Sequence, residues 1–317
     1  MRFGLAALIV FVSASAVVVA VEIPTVPVGN AGNAKESFGP YGRVTYDYRI
    51  GTTEVTNAQY AAFLNAKAAS DPLGLYNASM GSGVGGILRS GSDGSYTYTE
   101  ISGRQNMPVV FVSWYDAIRF ANWLHNGQGA GDTETGAYTL LGGTPTPSNG
   151  LDIARNPGAV WFLTSENEWY KAAYHKNDGP TGNYWLYPTS SDDPPIAEAP
   201  SDGANSVNHD SAVGDLTAAG AYSNSVSPYG TFDQGGNVWE WTERLVSFQY
   251  RVLRGGSWSQ PGFLNSPTLI GDNPINEAEN FGFRVATIPE PSSIVLAAFG
   301  LVTVAACRWR RRRRRTL

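Results

Sequence analysis

Few side chains in this sequence have the type and spacing that catalysis needs. Ser257 follows Gly255 and Gly256, a strained backbone context for a nucleophile, but the sequence places no evident base beside it. Glu166 and Glu168 form a close carboxylate pair, yet they open a predicted helix, where capping and the helix dipole account for both. The sequence therefore shows no recognisable nucleophilic or acid–base constellation.

Sulfur and imidazole ligands are equally sparse. The one cysteine, Cys307, lies in an apolar run near the C-terminus, so residues 21–288 contain no disulfide framework, zinc cluster or Cys–His pair. The three histidines, His125, His175 and His209, are scattered, and such histidines are more often surface or core residues than ligands. A metal in this domain would need oxygen ligands.

Composition and charge favour one large exported domain. The chain has 317 residues, of which 42% are hydrophobic, 15% are charged, 36 are glycine and 9 are tryptophan. This mixture is typical of a loop-rich fold with an aromatic core. Eight of the 22 basic residues but one of the 27 acidic residues lie outside residues 21–288, which leaves 14 basic and 26 acidic residues there, a net charge of −12. A domain this acidic repels phosphate backbones, which excludes nucleic acid as a partner.

Residues 1–20 have the pattern of a secretory signal peptide. A short basic start precedes an apolar stretch, and the small residues Ala16 and Ala20 offer cleavage positions. An uncleaved anchor helix is the alternative, because the apolar run continues to Val21. We predict cleavage and a folded domain over residues 21–288.

Residues 289–317 form a second targeting segment. They contain the triplet Pro-Glu-Pro at 289–291, an apolar run at 294–306 and an arginine block at 310–315, the order of a stop-transfer signal. The arrangement resembles the PEP-CTERM sorting signal of bacteria that make an extracellular matrix. The resemblance implies a transient membrane anchor, removal by an exosortase-type protease, and delivery to the cell surface or matrix. A plain tail anchor is the alternative.

Hydrophobic periodicity and capping signals predict an α+β domain with much irregular backbone. Three helices are expected after Thr56, Ser113 and Ser165, because each is followed three positions later by Gln, Asp or Glu and then by an apolar face. No repeat and no linker divides the segment. Residues with strand character lie at 46–50, 52–55, 108–112, 238–245, 251–258 and 281–287, and a hairpin is expected around Tyr96 and Tyr98.

Six strings stand in order along the chain: TTEVTNAQYAAFLNA (52–66), PVVFVSWYDAIRFANWL (108–124), FLTSENEWYKAAYH (162–175), GGNVWEWT (235–242), RVLRGGSW (251–258) and GFRVA (282–286). Together they resemble the formylglycine-generating enzyme family, also called the sulfatase-modifying-factor family. The likeness covers about residues 40–288. It implies a variant of the C-type lectin fold with sparse secondary structure and bound calcium.

The resemblance also identifies where catalytic residues would stand. Members of the family oxidise a substrate cysteine to formylglycine with two cysteines that hold copper(I), a metal that needs soft thiolate ligands. At these positions the sequence has Gln260 and Asn265, and neither amide can act as a thiolate. We therefore expect no bound copper and no formylglycine formation. Ser257, Trp258, Gln260 and Asn265 become candidate ligand-binding residues.

Calcium is the cofactor that the resemblance implies. The family's site before the WEW strand corresponds to Asp233, Gly236, Val238 and Glu240, whose carboxylates and carbonyls suit a hard cation. The alternative is that Asp233 caps a turn while Glu240 pairs with an arginine.

A second family site would begin at Asn205 and Ser206, although its other ligands do not align. Arg284, a charge within an apolar strand, is expected to have a buried acidic partner, which the sequence does not identify.

Two classes of function remain. The missing thiols favour a non-catalytic surface module that binds a glycan, peptide or matrix polymer, with extracellular polysaccharide or surface proteins as its partners. The loops at 70–107 and 126–158 are its candidate binding surface. An enzyme of the same superfamily with altered oxidative chemistry is the alternative, and a purely structural matrix protein is a third possibility.

Overall fold

Regular secondary structure is sparse in the computed structural model, which describes residues 20–288 except 202, 261, 263 and 267. Long ordered loops join short elements, which confirms the predicted α+β class. In chain order the elements are β1 (Thr25–Val28), β2 (Tyr48–Gly51), α1 (Asn57–Lys67), β3 (Ile87–Ser90), β4 (Thr97–Glu100), α2 (Trp114–His125), β5 (Trp161–Leu163), α3 (Glu166–Tyr174), β6 (Ile196–Ala197), β7 (Ser206–Val207), β8 (Trp239–Val246), β9 (Tyr250–Arg254), β10 (Ile270–Asp272), β11 (Phe281–Gly282) and β12 (Val285–Thr287).

The three predicted capping boxes are confirmed. Thr56, Ser113 and Ser165 each accept a hydrogen bond from the backbone amide three residues later, and the side chain at that position bonds back to the cap amide. These reciprocal bonds satisfy amides that would otherwise be unpaired at the helix starts. Since the interactions are local, the sequence was sufficient to place α1, α2 and α3.

Two four-stranded sheets organise the chain. The first has the order β1-β2-β12-β5 and the second the order β10-β9-β8-β11, with β8 and β11 parallel and the other pairs antiparallel. Strands β11 and β12 follow each other closely in sequence but join different sheets. The three residues between Phe281 and Val285 therefore couple the two sheets, and Arg284 is one of them.

Two strand predictions are wrong. Residues 52–55 form no strand, and residues 108–112 run as a buried extended segment in which Pro108 makes only an isolated bridge with Thr56. Phe111 adopts a left-handed φ of 59°, which no regular strand tolerates.

Two further strands are shorter than predicted. The strand expected at 251–258 ends at Arg254, since Gly255 and Gly256 have φ angles of 98° and 79°. Left-handed backbone of this kind is accessible to glycine and ends the ladder. The strand expected at 281–287 is divided into β11 and β12.

Aromatic side chains fill the core between the helices and sheets. Tyr60 and Phe63 of α1 pack against Phe120 and Trp123 of α2, with ring centroids 5.4 to 6.0 Å apart. Phe283 completes the cluster at 5.5 Å from Phe120. The rings pack in stacked, tilted and edge-to-face arrangements, and their burial stabilises a fold whose regular elements are short. This core fixes the segment that carries Arg284.

Candidate functional site

A buried ion pair lies where the two sheets meet. Arg284 donates from Nε and Nη2 to the two carboxylate oxygens of Glu240, at 2.5 and 2.7 Å, and neither side chain is exposed. The indole Nε1 of Trp169 donates to the same carboxylate at 2.8 Å. Glu240 is therefore the acidic partner expected for Arg284, and both of its oxygens are engaged.

Asp233 lies beside this pair in a tight turn. Its φ is 58°, it is 7% exposed, and its Oδ2 accepts a hydrogen bond from the amide of Gly220 at 2.5 Å. Burial is the main reason that the pKa of Asp233 rises to about 6, since desolvation disfavours the carboxylate. The turn-capping contact considered as the alternative to calcium is thus present.

Glu54 is a further buried carboxylate that sequence reasoning missed. Its Oε1 accepts a hydrogen bond from the side-chain amide of Asn237 at 3.1 Å. Its Oε2 is buried and has no hydrogen-bond partner among the described residues. Burial and the nearby charge of Asp233 raise the pKa of Glu54 well above its ordinary value. An acidic residue inside a segment with strand character was the only sequence signal for this position.

The donor chemistry of this cluster fits a hard cation. Glu54, Asp233 and Glu240 supply three carboxylates against the one guanidinium of Arg284, and the second oxygen of Glu54 has no partner in the described part of the chain. An unpaired buried carboxylate is costly unless a cation or a proton compensates it. No group of three or more His, Cys, Asp or Glu side chains within the described residues is arranged as a metal site, so backbone oxygens would have to contribute.

The expected second calcium position is used for loop contacts. Asn205 has a φ of 58°, accepts from the Thr189 hydroxyl at 2.5 Å, and donates to the carbonyls of Asp193 and Pro194. Ser206 donates from Oγ to Glu198 at 2.6 Å. These bonds order the loop that leads into β7.

The residues at the expected cysteine positions make internal hydrogen bonds. Gln260 accepts through Oε1 from the indole of Trp239 at 2.7 Å, and Asn265 accepts from the Thr268 hydroxyl. Among the described residues, no hydrogen bond joins Gln260 to Asn265. Each amide therefore has a structural partner of its own.

Ser257 and Trp258 form the turn that precedes Gln260. Ser257 is fully buried and its hydroxyl accepts from the side-chain amide of Asn280 at 3.2 Å, with no base beside it in the described residues. The indole Nε1 of Trp258 is buried without a partner among those residues. The structure thus brings Ser257, Trp258 and Gln260 into one turn, with an unsatisfied indole donor.

The remaining candidates for catalysis have structural roles. Glu166 accepts from Arg254 and Arg244, each at 2.5 Å, and Glu168 accepts from Arg155 at 2.6 Å. The histidines make separate contacts: His125 accepts from the amide of Val160, His175 bonds Tyr229, and His209 bonds the carbonyl of Pro195.

Asp116 and Glu277 form a carboxyl pair outside the cluster of Glu54, Asp233 and Glu240, and both have raised pKa values. Asp116 at the start of α2 accepts from the amide and hydroxyl of Ser113 at 2.9 and 2.6 Å, and it shares a hydrogen bond with Glu277. Asn77 donates to Glu277 from the other side. Burial, together with the charge of Asp116, raises the pKa of Glu277 to about 7, and burial raises that of Asp116 to about 6.

This pair predicts a loss of stability as the pH rises from acidic to neutral. Because both pKa values are higher in the folded chain than in the unfolded one, the stabilisation is complete below about pH 4 and is lost as the pH rises through 6 to 7. Between pH 5 and pH 8, the free energy of unfolding should fall by about 1–2 kcal/mol less in Glu277→Gln than in the parent. This figure is reduced because Glu277 is partly exposed to solvent. Urea unfolding at both pH values measures it. The exposed Glu279→Gln is the control, and equal pH slopes in the two variants would contradict the assignment.

Comparison with known proteins extends these observations. Residues 16–288 match the sulfatase-modifying factor enzyme 1-like domain, and residues 287–314 match the PEP-CTERM protein-sorting motif. The chain is 24% identical over 280 residues to a formylglycine-generating enzyme of Streptomyces coelicolor, covering 75% of this chain and 77% of that protein. It is also 40% identical over 68 residues to the inactive C-alpha-formylglycine-generating enzyme 2 of Bos taurus, covering 19% of this chain and 23% of that protein.

Solved structures share the fold. CarF superimposes with a TM-score of 0.53 at 20% identity, covering 86% of this chain and 100% of that chain. Variable protein 1 of Treponema denticola gives the same score and identity, covering 86% of this chain and 97% of that chain. The predicted variant of the C-type lectin fold is therefore confirmed.

The sorting motif establishes the route of the protein. It directs export and membrane-anchored sorting to the cell surface, and it implies processing by an exosortase-type protease. Among the residues that the structure describes, no helix has the length and apolarity to cross a membrane. The predicted apolar run at 294–306 and residues 1–19 of the predicted signal peptide (1–20) lie outside the described residues. From its motifs, fold and matched residues, the chain belongs to the sulfatase-modifying-factor family, as an exported member with a PEP-CTERM sorting motif.

Proposed function

We propose that the mature protein, residues 21–288, is a non-catalytic binding module of the cell surface or matrix. The observation that carries the proposal is the chemistry at the two cysteine positions, where Gln260 and Asn265 stand and each makes an internal hydrogen bond. Copper(I) requires soft thiolate ligands, and amides do not supply them. The single cysteine of the chain, Cys307, belongs to the sorting segment. A relative whose name describes it as inactive, with 40% identity over 68 residues, supports the same conclusion.

The binding surface of this module includes the turn around Trp258. Its indole Nε1 is buried without a partner in the described residues, so a ligand would reach this donor only after a movement of the turn. The half-buried amides of Gln260 and Asn265 are the other candidate contacts, while the buried Ser257 holds the turn through Asn280. An extracellular polysaccharide or a surface protein is the partner class that the sorting route supports.

Calcium braces the scaffold in this proposal. Asp233 and the backbone carbonyls of Gly236 and Val238 would hold the ion, with Glu54 as an added carboxylate whose Oε2 has no partner among the described residues. Glu240 contributes charge while it stays paired with Arg284. Bound calcium would neutralise the buried carboxylates and fix the turn that leads into β8. A weaker second ion at Asn205 and Ser206 belongs to the same proposal.

Binding by the exported protein to an array of glycans and peptides, first with calcium and then with a chelator, tests this function. We expect binding that weakens when calcium is removed, because the ion orders the loops. A parallel assay supplies copper(I), oxygen and a sulfatase-type cysteine peptide, and we expect no aldehyde product. Turnover in that assay, or no binding to any array member, would favour the alternative of an enzyme with altered oxidative chemistry and overturn the proposal.

A further inference from the structure

A separate cavity of about 350 Å³ lies beside the loop end of the β3–β4 hairpin. None of its lining residues belongs to the cation cluster or to the Trp258 turn. The hairpin loop lies close to the residues that follow α1, since the amide of Tyr96 donates to the carbonyl of Ala69 at 2.9 Å. The cavity is lined by Ser70, Asp71, Pro72, Arg89, Asp93 and Tyr96.

Arg89 is oriented by two tyrosine rings. Its guanidinium carbon lies 4.4 Å from the ring centroid of Tyr96 and 4.8 Å from that of Tyr76. Cation–π contacts of this kind fix a guanidinium without consuming its hydrogen-bond donors. Among the described residues Arg89 is in none of the ion pairs. The guanidinium also hydrogen-bonds the side chain of Tyr98, so its remaining N–H donors are the ones that line the cavity in a fixed orientation.

The two aspartates of the cavity differ in their availability. Asp71 accepts from the backbone amides of Leu75 and Tyr76 with its two oxygens, at 2.8 and 3.0 Å, so it shapes the cavity wall. Asp93 accepts from the Ser70 hydroxyl at 2.6 Å through Oδ1, and in the described chain no donor reaches its other oxygen. Asp93 thus offers an anchored acceptor.

The charge of the cavity selects among ligands. Two aspartates against one arginine give it a net charge of −1, within a domain of net charge −12. This field repels anionic ligands such as uronates or sulfated sugars. Donors and acceptors set beside the apolar surfaces of Tyr96 and Pro72 match a ring with several hydroxyls and apolar C–H faces.

We propose that this cavity binds a neutral hexose, with Arg89 donating to sugar hydroxyls and Asp93 accepting from them. The inference deepens the proposed binding function by naming a ligand class and a second contact surface. Its volume suits one sugar ring at the end or side of a longer glycan.

Titration calorimetry of the exported protein with cellobiose, maltose, lactose and mannobiose tests this subsite. Glucuronic acid and a neutral tetrapeptide are the competing ligand classes. We expect at least one disaccharide to bind with a Kd of about 0.1–1 mM, and Arg89→Ala and Asp93→Asn each to weaken it about tenfold. Arg43→Ala, which removes one exposed arginine elsewhere, is the matched control and should bind as the parent does.

Each outcome separates this inference from the proposed function. Disaccharide binding that survives Arg89→Ala and Asp93→Asn, tighter binding of glucuronic acid, or binding of the tetrapeptide alone overturns the neutral-hexose subsite. Loss of binding through Gln260→Ala instead would place the sugar at the Trp258 turn and leave the proposed function intact. If Arg89→Ala fails to fold, as judged by its melting curve, the exposed Asp93→Asn variant decides the question.

Discussion

Replacement of Arg284 by methionine should destabilise the protein by about 3–5 kcal/mol, the cost of a buried charge left without its partner. Glu240 would lose both of its guanidinium contacts at a position with no exposed surface. The carbonyls of Gly51 and Phe232 would also lose the donors that now reach them at 3.1 and 2.9 Å. Since typical domains are stable by about 5–15 kcal/mol, this loss would be a large fraction of the folding free energy. Urea unfolding of the exported protein measures the loss.

Arg244→Met is the matched control for this change. Arg244 also contacts a glutamate at 2.5 Å, but its side chain is 36% exposed, so water can replace the lost partner. The expected cost is below about 1 kcal/mol. If Arg284→Met proves too unstable to purify, Arg284→Met combined with Glu240→Leu should restore part of the stability. The charge of Glu240 is then no longer stranded, although Glu54 and Asp233 still lose the nearby guanidinium. Equal costs for the two single variants would show that the Arg284–Glu240 pair is not the brace between the sheets.

Local chemistry explains why the helices could be predicted. Each helix begins with a capping box whose contacts span three residues, so no tertiary information was needed to predict it. The cap residues are Thr56, Ser113 and Ser165. The ends of the strands were harder, as they depend on partners far along the chain. Strand β12 pairs with both β2 and β5, and nothing local to residues 285–287 identifies either neighbour.

In the candidate site, too, the features that depend on distant partners could not be predicted from the sequence. Arg284 was expected to have an acidic partner, but its identity required the parallel pairing of β11 with β8, which places Gly282 opposite Glu240. Glu54 escaped notice because its neighbours have strand character and its burial comes from distant contacts such as that with Asn237, 183 positions away. Sequence reasoning therefore reached the residue types of the cluster but not its full membership.

The proposed sugar subsite also depends on contacts that the register of the β3–β4 hairpin creates. Tyr96 and Tyr98 indicated a hairpin, and the pairing of Arg89 with Tyr98 confirms it. The loop at its tip needs Gly91, whose φ is 89° and where a Cβ would lie 2.6 Å from the carbonyl oxygen of Ser95. The orientation of Arg89 over two rings is a product of that register, and composition alone could not supply it.

The calcium proposal makes the second large prediction, which concerns Asp233→Asn. The amide still accepts from the Gly220 amide, so the turn is kept, while one negative charge of the cation cluster is removed. At calcium concentrations about 100 times the Kd, binding should add about 2.7 kcal/mol to the parent, or about 5–10 °C in Tm for a domain of this size. Asp233→Asn should lose most of this increment, and its melting curve should no longer respond to a chelator.

Three variants distinguish calcium binding by the cluster from a purely structural role of its carboxylates. Asp233→Ala removes both the ligand and the turn contact, so it should melt below Asp233→Asn when a chelator is present. Glu54→Gln should lower the calcium response but keep the bond from Asn237, because a glutamine carbonyl also accepts. Asp178→Asn, an exposed substitution outside the cluster, should leave the response unchanged. A parent melting curve that is identical with calcium and with chelator would contradict the calcium proposal, and the cluster would then be held by Arg284 and by protonation of its carboxyls.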